Sequence, residues 1–270
     1  MELTQGVRFD TLELSPEILR ALMERNIVQS TPVQAGCIPP MLEWRDVIAK
    51  APTGTGKTMA FGIPIIERID PDSEDVQAVI LAPTRELAMQ ITDEMRQIAV
   101  CHEGVRLVCL YGGQPIGKQI NALKRRPQIV VATPGRLSDH MKRRTVSVKE
   151  VQTVVLDEAD KLSDQVLYFF ISLYNQLEGQ CGLVLCATNF LEKRITRGVR
   201  FNRRGYQEIY SRIGRKFVKL QVVNDEDIAA VCRANGVTSA ADIGTIIKDS
   251  DNDLRRVKRA CWTIKKGGRV

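Results

Sequence analysis

The sequence predicts a three-layer α/β/α fold, a mostly parallel sheet between helices, with a small helical subdomain at its end. Three observations predict it. Continuous apolar runs alternate with helix-compatible stretches between residues 46 and 223, as parallel strands buried on both faces require. A glycine-rich loop, Ala51-Pro52-Thr53-Gly54-Thr55-Gly56-Lys57-Thr58, joins one apolar run to a helix. After residue 223 strands stop, and three helix-compatible runs follow.

The elements follow in order. Ser15-Pro16-Glu17 starts a helix with proline in its first turn, and Thr31-Pro32-Val33-Gln34 starts a second toward Met41. Strands are expected at 46–50, 77–82, 105–110, 128–132, 151–156, 182–187 and 216–223. Helices are expected at 57–68, 86–99, 115–124, 135–142 and 165–177. Short helices over 225–234, 239–248 and 253–265 are separated by Asn235-Gly236 and by the polar stretch 249–252. This pattern divides the chain into a core, 1–223, and a helical lid, 224–270.

Composition narrows the function. No run approaches 18 apolar residues, so no membrane-spanning helix is expected. Residues 1–10 contain no apolar signal core. Seven cysteines form no Cys-x-x-Cys pair and read as reduced thiols in a cytoplasmic protein. His102 and His140 stand in no metal-ligand spacing and read as ordinary surface or loop residues. The net charge of +7 is uneven, because residues 161–270 carry +9 and residues 1–160 carry −2. Such asymmetry favours a polyanionic partner, nucleic acid first.

The loop at 51–58 carries the chemistry. Strand, glycine-rich turn, Gly-Lys-Thr and helix together make a phosphate-binding loop. Gly54 and Gly56 let backbone N–H groups turn inward, with Pro52, Thr53 and Thr55 completing the cradle. The helix that follows presents its positive end. Lys57 reaches the β- and γ-phosphates, and Thr58 offers a hydroxyl to Mg²⁺. A second strand, Val154-Val155-Leu156, ends in Asp157-Glu158-Ala159-Asp160. Strand ends of one parallel sheet share an edge. Asp157 there suits Mg²⁺ through water, and Glu158 suits a base for the attacking water.

Asp157-Glu158-Ala159-Asp160 also spells the signature of the DEAD-box RNA helicases, and residues 1–162 resemble that family's N-terminal RecA-like lobe. Phe9 and Thr31-Pro32-Val33-Gln34 resemble its adenine-reading motif, although Asn26 and Ser30 stand where Gly and Pro are usual. The resemblance implies that Gln34 bonds the adenine edge and Phe9 packs on the ring. Pro83-Thr84-Arg85-Glu86-Leu87-Ala88, Gly112-Gly113 and Thr133-Pro134-Gly135-Arg136 match its RNA-facing motifs in order. Thr84, Arg85, Gly113, Thr133, Gly135 and Arg136 are therefore expected to meet single-stranded RNA, with ATP and Mg²⁺ at the loop. Helix starts beside an arginine suit contacts to a phosphate backbone.

Beyond Leu162 the sequence resembles instead an AAA+ ATPase of the transposition-protein-B type. The matching stretches are Asp157-Glu158-Ala159-Asp160-Lys161-Leu162, Cys186-Ala187-Thr188-Asn189, Leu191-Glu192-Lys193-Arg194-Ile195, Tyr210-Ser211-Arg212-Ile213-Gly214 and Asp253-Leu254-Arg255-Arg256. This likeness implies a sensor at Thr188 or Asn189, an arginine finger at Arg212 serving a neighbouring subunit, and a lid sensor at Arg255 or Arg256. It makes residues 163–223 an AAA+ continuation and the whole chain a composite. The expected activity is slow ATP hydrolysis with single-stranded RNA bound, and unwinding is not expected without a second RecA-like lobe. Two alternatives follow: an oligomeric AAA+ ATPase on DNA, or a nucleotide-binding module whose cycle the fusion has broken.

Overall fold

The computed structural model describes every residue except 1–5, 44, 46, 51–54, 178–180, 213–217, 220–223, 252–253 and 266–270. Among the described residues seven strands form one sheet: β1 (Val47–Lys50), β2 (Ala78–Leu81), β3 (Leu107–Leu110), β4 (Ile129–Ala132), β5 (Thr153–Leu156), β6 (Gly182–Ala187) and β7 (Val218–Lys219). Their order across the sheet is β3-β4-β2-β5-β6-β1-β7, and every pair is parallel. Each strand expected from the sequence has a counterpart: the run 182–187 is paired in full, and those at 77–82, 105–110, 128–132 and 151–156 are shorter by one or two residues. For the last, 216–223, only Val218 and Lys219 fall within the described strand.

Among the described residues twelve α-helices cover the sheet or follow it: α1 (Pro16–Glu24), α2 (Pro32–Leu42), α3 (Lys57–Arg68), α4 (Arg85–Ile98), α5 (Ile116–Leu123), α6 (Pro134–Lys142), α7 (Asp164–Gln176), α8 (Asn189–Arg200), α9 (Tyr206–Arg212), α10 (Asp225–Ala234), α11 (Ala240–Ser250) and α12 (Leu254–Lys265). Their starts are written in the sequence. Ser15, Thr31, Thr84, Ser163, Thr188, Asn224 and Ser239 each accept a backbone N–H at a helix start, and each such cap contributes about 1 kcal/mol. Two helices, α8 and α9, go beyond the expected set. Thr188 as cap, with Leu191 and Ile195 four apart, was the signal for α8.

Alternation along the strands divides the core in two. Ala78, Ile80, Ile129, Val131, Val155, Val184 and Cys186 pack under α1, α2, α3 and α4. Val79, Leu81, Val130, Ala132, Val154, Leu156, Leu183 and Leu185 pack under α6, α7, α8 and α9. Both faces are dry, so the strands had to be apolar throughout. Each fully buried Val, Leu or Ile contributes about 1.5–3 kcal/mol. A third cluster, Ile228, Cys232, Val237, Ile246, Val257 and Cys261 among others, belongs to α10, α11 and α12 alone. The division expected at 223 falls on residues outside the described set.

Candidate nucleotide and nucleic-acid site

Because all strands run one way, the loops that follow β1, β2, β3, β4, β5 and β6 meet at one edge of the sheet. Residues 51–54 lie outside the described set, so Pro52, Thr53 and Gly54 are not placed. The rest of the glycine-rich loop is. Gly56 takes φ +87°, and a Cβ there would come within 2.3 Å of the Gln34 amide nitrogen. Only glycine fits that conformation next to that neighbour. Thr55 and Lys57 are buried, and Thr58 is half-buried in the first turn of α3.

Gln34 and Thr31 brace this loop from α2. Gln34 Nε2 donates to Gly56 O at 3.1 Å, and its Oε1 accepts from Thr31 N–H at 2.8 Å. Thr31 Oγ1 donates to Thr55 O at 2.8 Å. Both polar ends of the Gln34 side chain are thus engaged within the protein. Phe9, expected on an adenine ring, is 2% exposed and belongs to the core beneath α1 and α2.

Across the edge, Asp157 is 4% exposed. Burial pushes its carboxyl above the ordinary range, and the Lys57 charge and the Glu158 N–H oppose that shift. The Glu158 N–H donates to Asp157 Oδ1 at 2.9 Å. Glu158 itself sits at φ +48°, a left-handed position uncommon for any residue but glycine. Such backbone concentrates at functional sites. Its carboxylate receives Lys161 Nζ at 2.7 Å. Two thiols near this pair are protonated at any ordinary pH: burial pushes Cys37 up to about 12 and Cys186 well above its usual value.

Asp160 joins β5 to β6. Its Oδ1 accepts from Thr188 N–H at 3.1 Å and its Oδ2 from Thr188 Oγ1 at 2.9 Å. Thr188 is thus bonded to the fourth residue of the acidic motif. The backbones of Asn189, Arg212 and Arg255 lie in α8, α9 and α12, and their side chains are outside the description.

The RNA-facing candidates gather over β2, β3 and β4. Thr84 caps α4 by accepting Leu87 N–H at 3.2 Å. Arg85 is exposed, pairs with Glu86 at 2.5 Å, and comes within 3.6 Å of where a Gly113 side chain would start. Gly113 has φ +88°, whereas a side chain at Gly135 would meet only open space. Thr133 precedes α6 without a side-chain cap. Arg136 differs from Arg85, because its Nη1 donates to Gln114 O and Gln119 Oε1, both at 3.0 Å.

Sequence reasoning missed what holds Arg136. Gln119, 2% exposed, also donates to Tyr111 O and Gln114 Oε1, each at 2.9 Å, and lies 3.1 Å from His140 Nε2. His140 is wholly buried, which corrects its reading as a surface or loop residue, and its Nδ1 lies 2.8 Å from Thr145 Oγ1. Burial, then the Arg136 charge, lowers its pKa. The signal was available: His140 lies three residues beyond Leu137, on the buried side of α6. His102 is half-buried, 3.3 Å from Ser15 Oγ.

This arrangement has known counterparts. The model of the DEAD/DEAH box helicase family matches residues 31–192. The chain belongs to the DEAD/DEAH box helicase family. Among curated relatives, the DEAD-box ATP-dependent RNA helicase CshA of Bacillus licheniformis is 49% identical over 156 residues, 58% of this chain and 32% of the relative. CshA of Bacillus subtilis is 47% identical over 156 residues, 58% of this chain and 31% of the relative. The chain thus spans about a third of the length of these relatives. A DEAD box protein from Methanococcus jannaschii shares the fold with a TM-score of 0.65 and 26% identity, covering 97% of this chain and 78% of its own. A yeast Dbp5 variant bound to RNA and ADP BeF3 gives 0.66 and 27%, covering 83% of this chain and 58% of its own.

The DEAD match runs thirty residues past Leu162, through β6 and into α8. It takes in Cys186-Ala187-Thr188, and the Asp160–Thr188 bonds tie that stretch to the acidic motif. A change of family at 162 is therefore not supported, and neither are the AAA+ continuation, the composite chain and the roles given on that basis to Thr188, Asn189, Arg212 and Arg255.

Proposed function

We propose that this chain binds Mg-ATP at the sheet edge, hydrolyses it slowly, and contacts single-stranded RNA through the adjoining loops. The observation that carries the reading is the buried Lys57 and Asp157, which follow β1 and β5 on either side of β6, beside a glycine in a left-handed turn. Burial raises the Asp157 carboxyl, and Lys57 opposes the shift only in part. A buried carboxylate in that condition calls for a further cation, and Thr58 stands in the first turn of the same helix as Lys57. The donor set, one carboxylate and one hydroxyl, fits Mg²⁺, an ion that usually keeps several of its own waters.

When bound, Mg²⁺ offsets negative charge on the phosphates. The chain's own residues do the rest. Lys57 and the amides of the loop hold phosphate oxygens, Asp157 and Thr58 hold the metal, and Glu158 takes the proton of the attacking water. For that last task Glu158 must leave Lys161. Gln34, already joined to Gly56 O, couples the adenine edge to the loop by exchanging one of its bonds. RNA phosphates meet Arg85 and the helix starts at Thr84 and Gly135, with Arg136 fixing the geometry. Free thiols throughout fit a reducing, cytoplasmic setting.

Slow turnover follows from the arginines. A finger aimed at the transferred phosphate contributes about 10³–10⁵ in rate. Among the described residues, Arg85 pairs with Glu86, Arg136 is held by Gln114 and Gln119, and Arg194 is bonded to Asp164. Steady-state ATP hydrolysis across protein concentrations tests the reading, alone and with single-stranded RNA or duplex DNA. RNA stimulation that disappears in Lys57→Ala is expected. Rapid RNA-independent turnover, or rates identical in Lys57→Ala, would sink it.

A further inference from the structure

Helix α8 and the turn after it carry a surface that neither the nucleotide nor the RNA motifs account for. Residues 189–204 hold six cations, Lys193, Arg194, Arg197, Arg200, Arg203 and Arg204, against one acid, Glu192. Leu191, Ile195 and Gly198 face inward, and Phe190, Lys193, Arg197, Arg200 and Phe201 face solvent. Both rings are unusually bare: Phe190 is 71% exposed and Phe201 62%. The Arg197 and Arg200 guanidinium carbons lie 5.8 and 5.9 Å from the Phe201 ring centre, within cation–π range. Among the described residues no carboxylate pairs with Lys193, Arg197, Arg200 or Arg204.

The helix is held firmly from behind. A Cβ on Gly198 would lie 2.2 Å from the Tyr206 ring, so glycine lets α9 pack close. Arg194 donates to Leu162 O at 2.5 Å, to Tyr206 hydroxyl at 2.9 Å, and to Asp164. Those bonds, first from Arg194 and then from Tyr206, hold the Asp164 carboxyl below the usual range. One cation thus fixes the helix and leaves the others facing outward.

We propose that the outer face of α8, from Phe190 to Arg204, is a second site for single-stranded nucleic acid, separate from the strand-end loops. Exposed rings give bases a stacking surface, and a row of six cations with one half-buried acid, Glu192, suits phosphates. Eleven residues of helical rise put the two rings about 16 Å apart, a span that a strand of several nucleotides covers. Duplex is disfavoured because its bases are already stacked. An acidic peptide would satisfy the charges and leave both rings in water.

The site does not rest on ATP use, so its test uses the nucleotide-free full chain. The probe is a fluorescein-labelled single-stranded uridine oligonucleotide of about 12 nucleotides, read by anisotropy at two salt concentrations. Phe201→Ala is expected to weaken binding about 10-fold, and Phe201→Trp to retain it. Arg197→Glu with Arg200→Glu is expected to weaken binding and flatten the salt dependence by about two phosphates' worth. Lys57→Ala is expected to bind as well as the parent. Its loss of hydrolysis with binding kept separates the two sites, since failure of the ATPase reading leaves this result intact. Unchanged affinity in Phe201→Ala and in the charge reversal overturns the proposal. So does tighter binding of duplex, or a self-association that Phe201→Ala abolishes.

Discussion

The two ends of the sheet edge use one device for different tasks. Over β1, β5 and β6, strand ends deliver Lys57, Asp157 and Asp160 into buried or half-buried positions where each has a fixed counterpart. Over β2, β3 and β4, strand ends deliver Thr84, Arg85, Gly113 and Gly135 to the open surface. Burial makes the difference. At the first end it lifts a carboxyl out of its ordinary range, the condition on which the proposed metal and phosphate binding rests. At the second, the side chains stand open to water, where a long flexible polyanion can be met along several loops. Arg136 belongs to neither type, because it faces the open end yet is held by a buried glutamine.

The strongest way to break this comparison is at the buried end. Lys57→Ala is expected to lower ATP turnover about 10²–10³-fold, the scale for losing one preorganised donor. A Lys57→Ala chain with normal turnover would mean that the buried end is merely structural. Gly56→Ala comes next. Its Cβ would meet the Gln34 amide, and the φ of +87° is strained for alanine. We expect about 1–3 kcal/mol of lost stability, seen in urea melts, together with weaker ATP binding.

The two arginines sharpen the contrast at the other end. Arg136→Ala strips a donor from Gln119 and Gln114 and is expected to destabilise by about 1–2 kcal/mol. Arg85→Ala breaks an exposed pair and should change stability by less than about 0.5 kcal/mol, while RNA stimulation falls in both. Equal melting curves for the two variants would remove the distinction between an arginine held by a buried glutamine and one in an exposed pair.

The smallest effect is a pH dependence. His140 has its pKa lowered by burial and by Arg136. The folded chain therefore holds a neutral imidazole, and the unfolded chain takes up the extra proton first. Stability should thus be full above the unfolded value, about 6.5, and decline as pH falls below it. His140→Gln is expected to lose that slope between about pH 5 and 6.5. A slope that survives the substitution would place its origin elsewhere.

Particular residues show how much could be read in advance. The helix over 57–68 was placed to the residue, because Gly-Lys-Thr fixes its start and local sequence its end. The run 182–187 was read as one strand and is one, since a strand buried on both faces must be apolar throughout. The helix α8 was overlooked because its exposed face mixes phenylalanine with arginine, which blurs the apolar period. Phe9 shows a different limit. A ring near a nucleotide motif reads as a stacking partner, and only the packed core shows it to be 2% exposed.

The sequence by itself determined the parallel sheet, the start of α3 after Gly56 and the acidic strand end, because these depend on local patterns of apolar run, glycine and cap. Tertiary structure alone decided which long-range pairs form. Thr188 meets Asp160 across 28 residues, Gln34 meets Gly56 across 22, and Gln119 meets His140 across 21. None of these distances is written in a local period. They exist because parallel strands bring distant loops to one edge, where polar groups shut away from water bond to whatever polar neighbour the packing supplies.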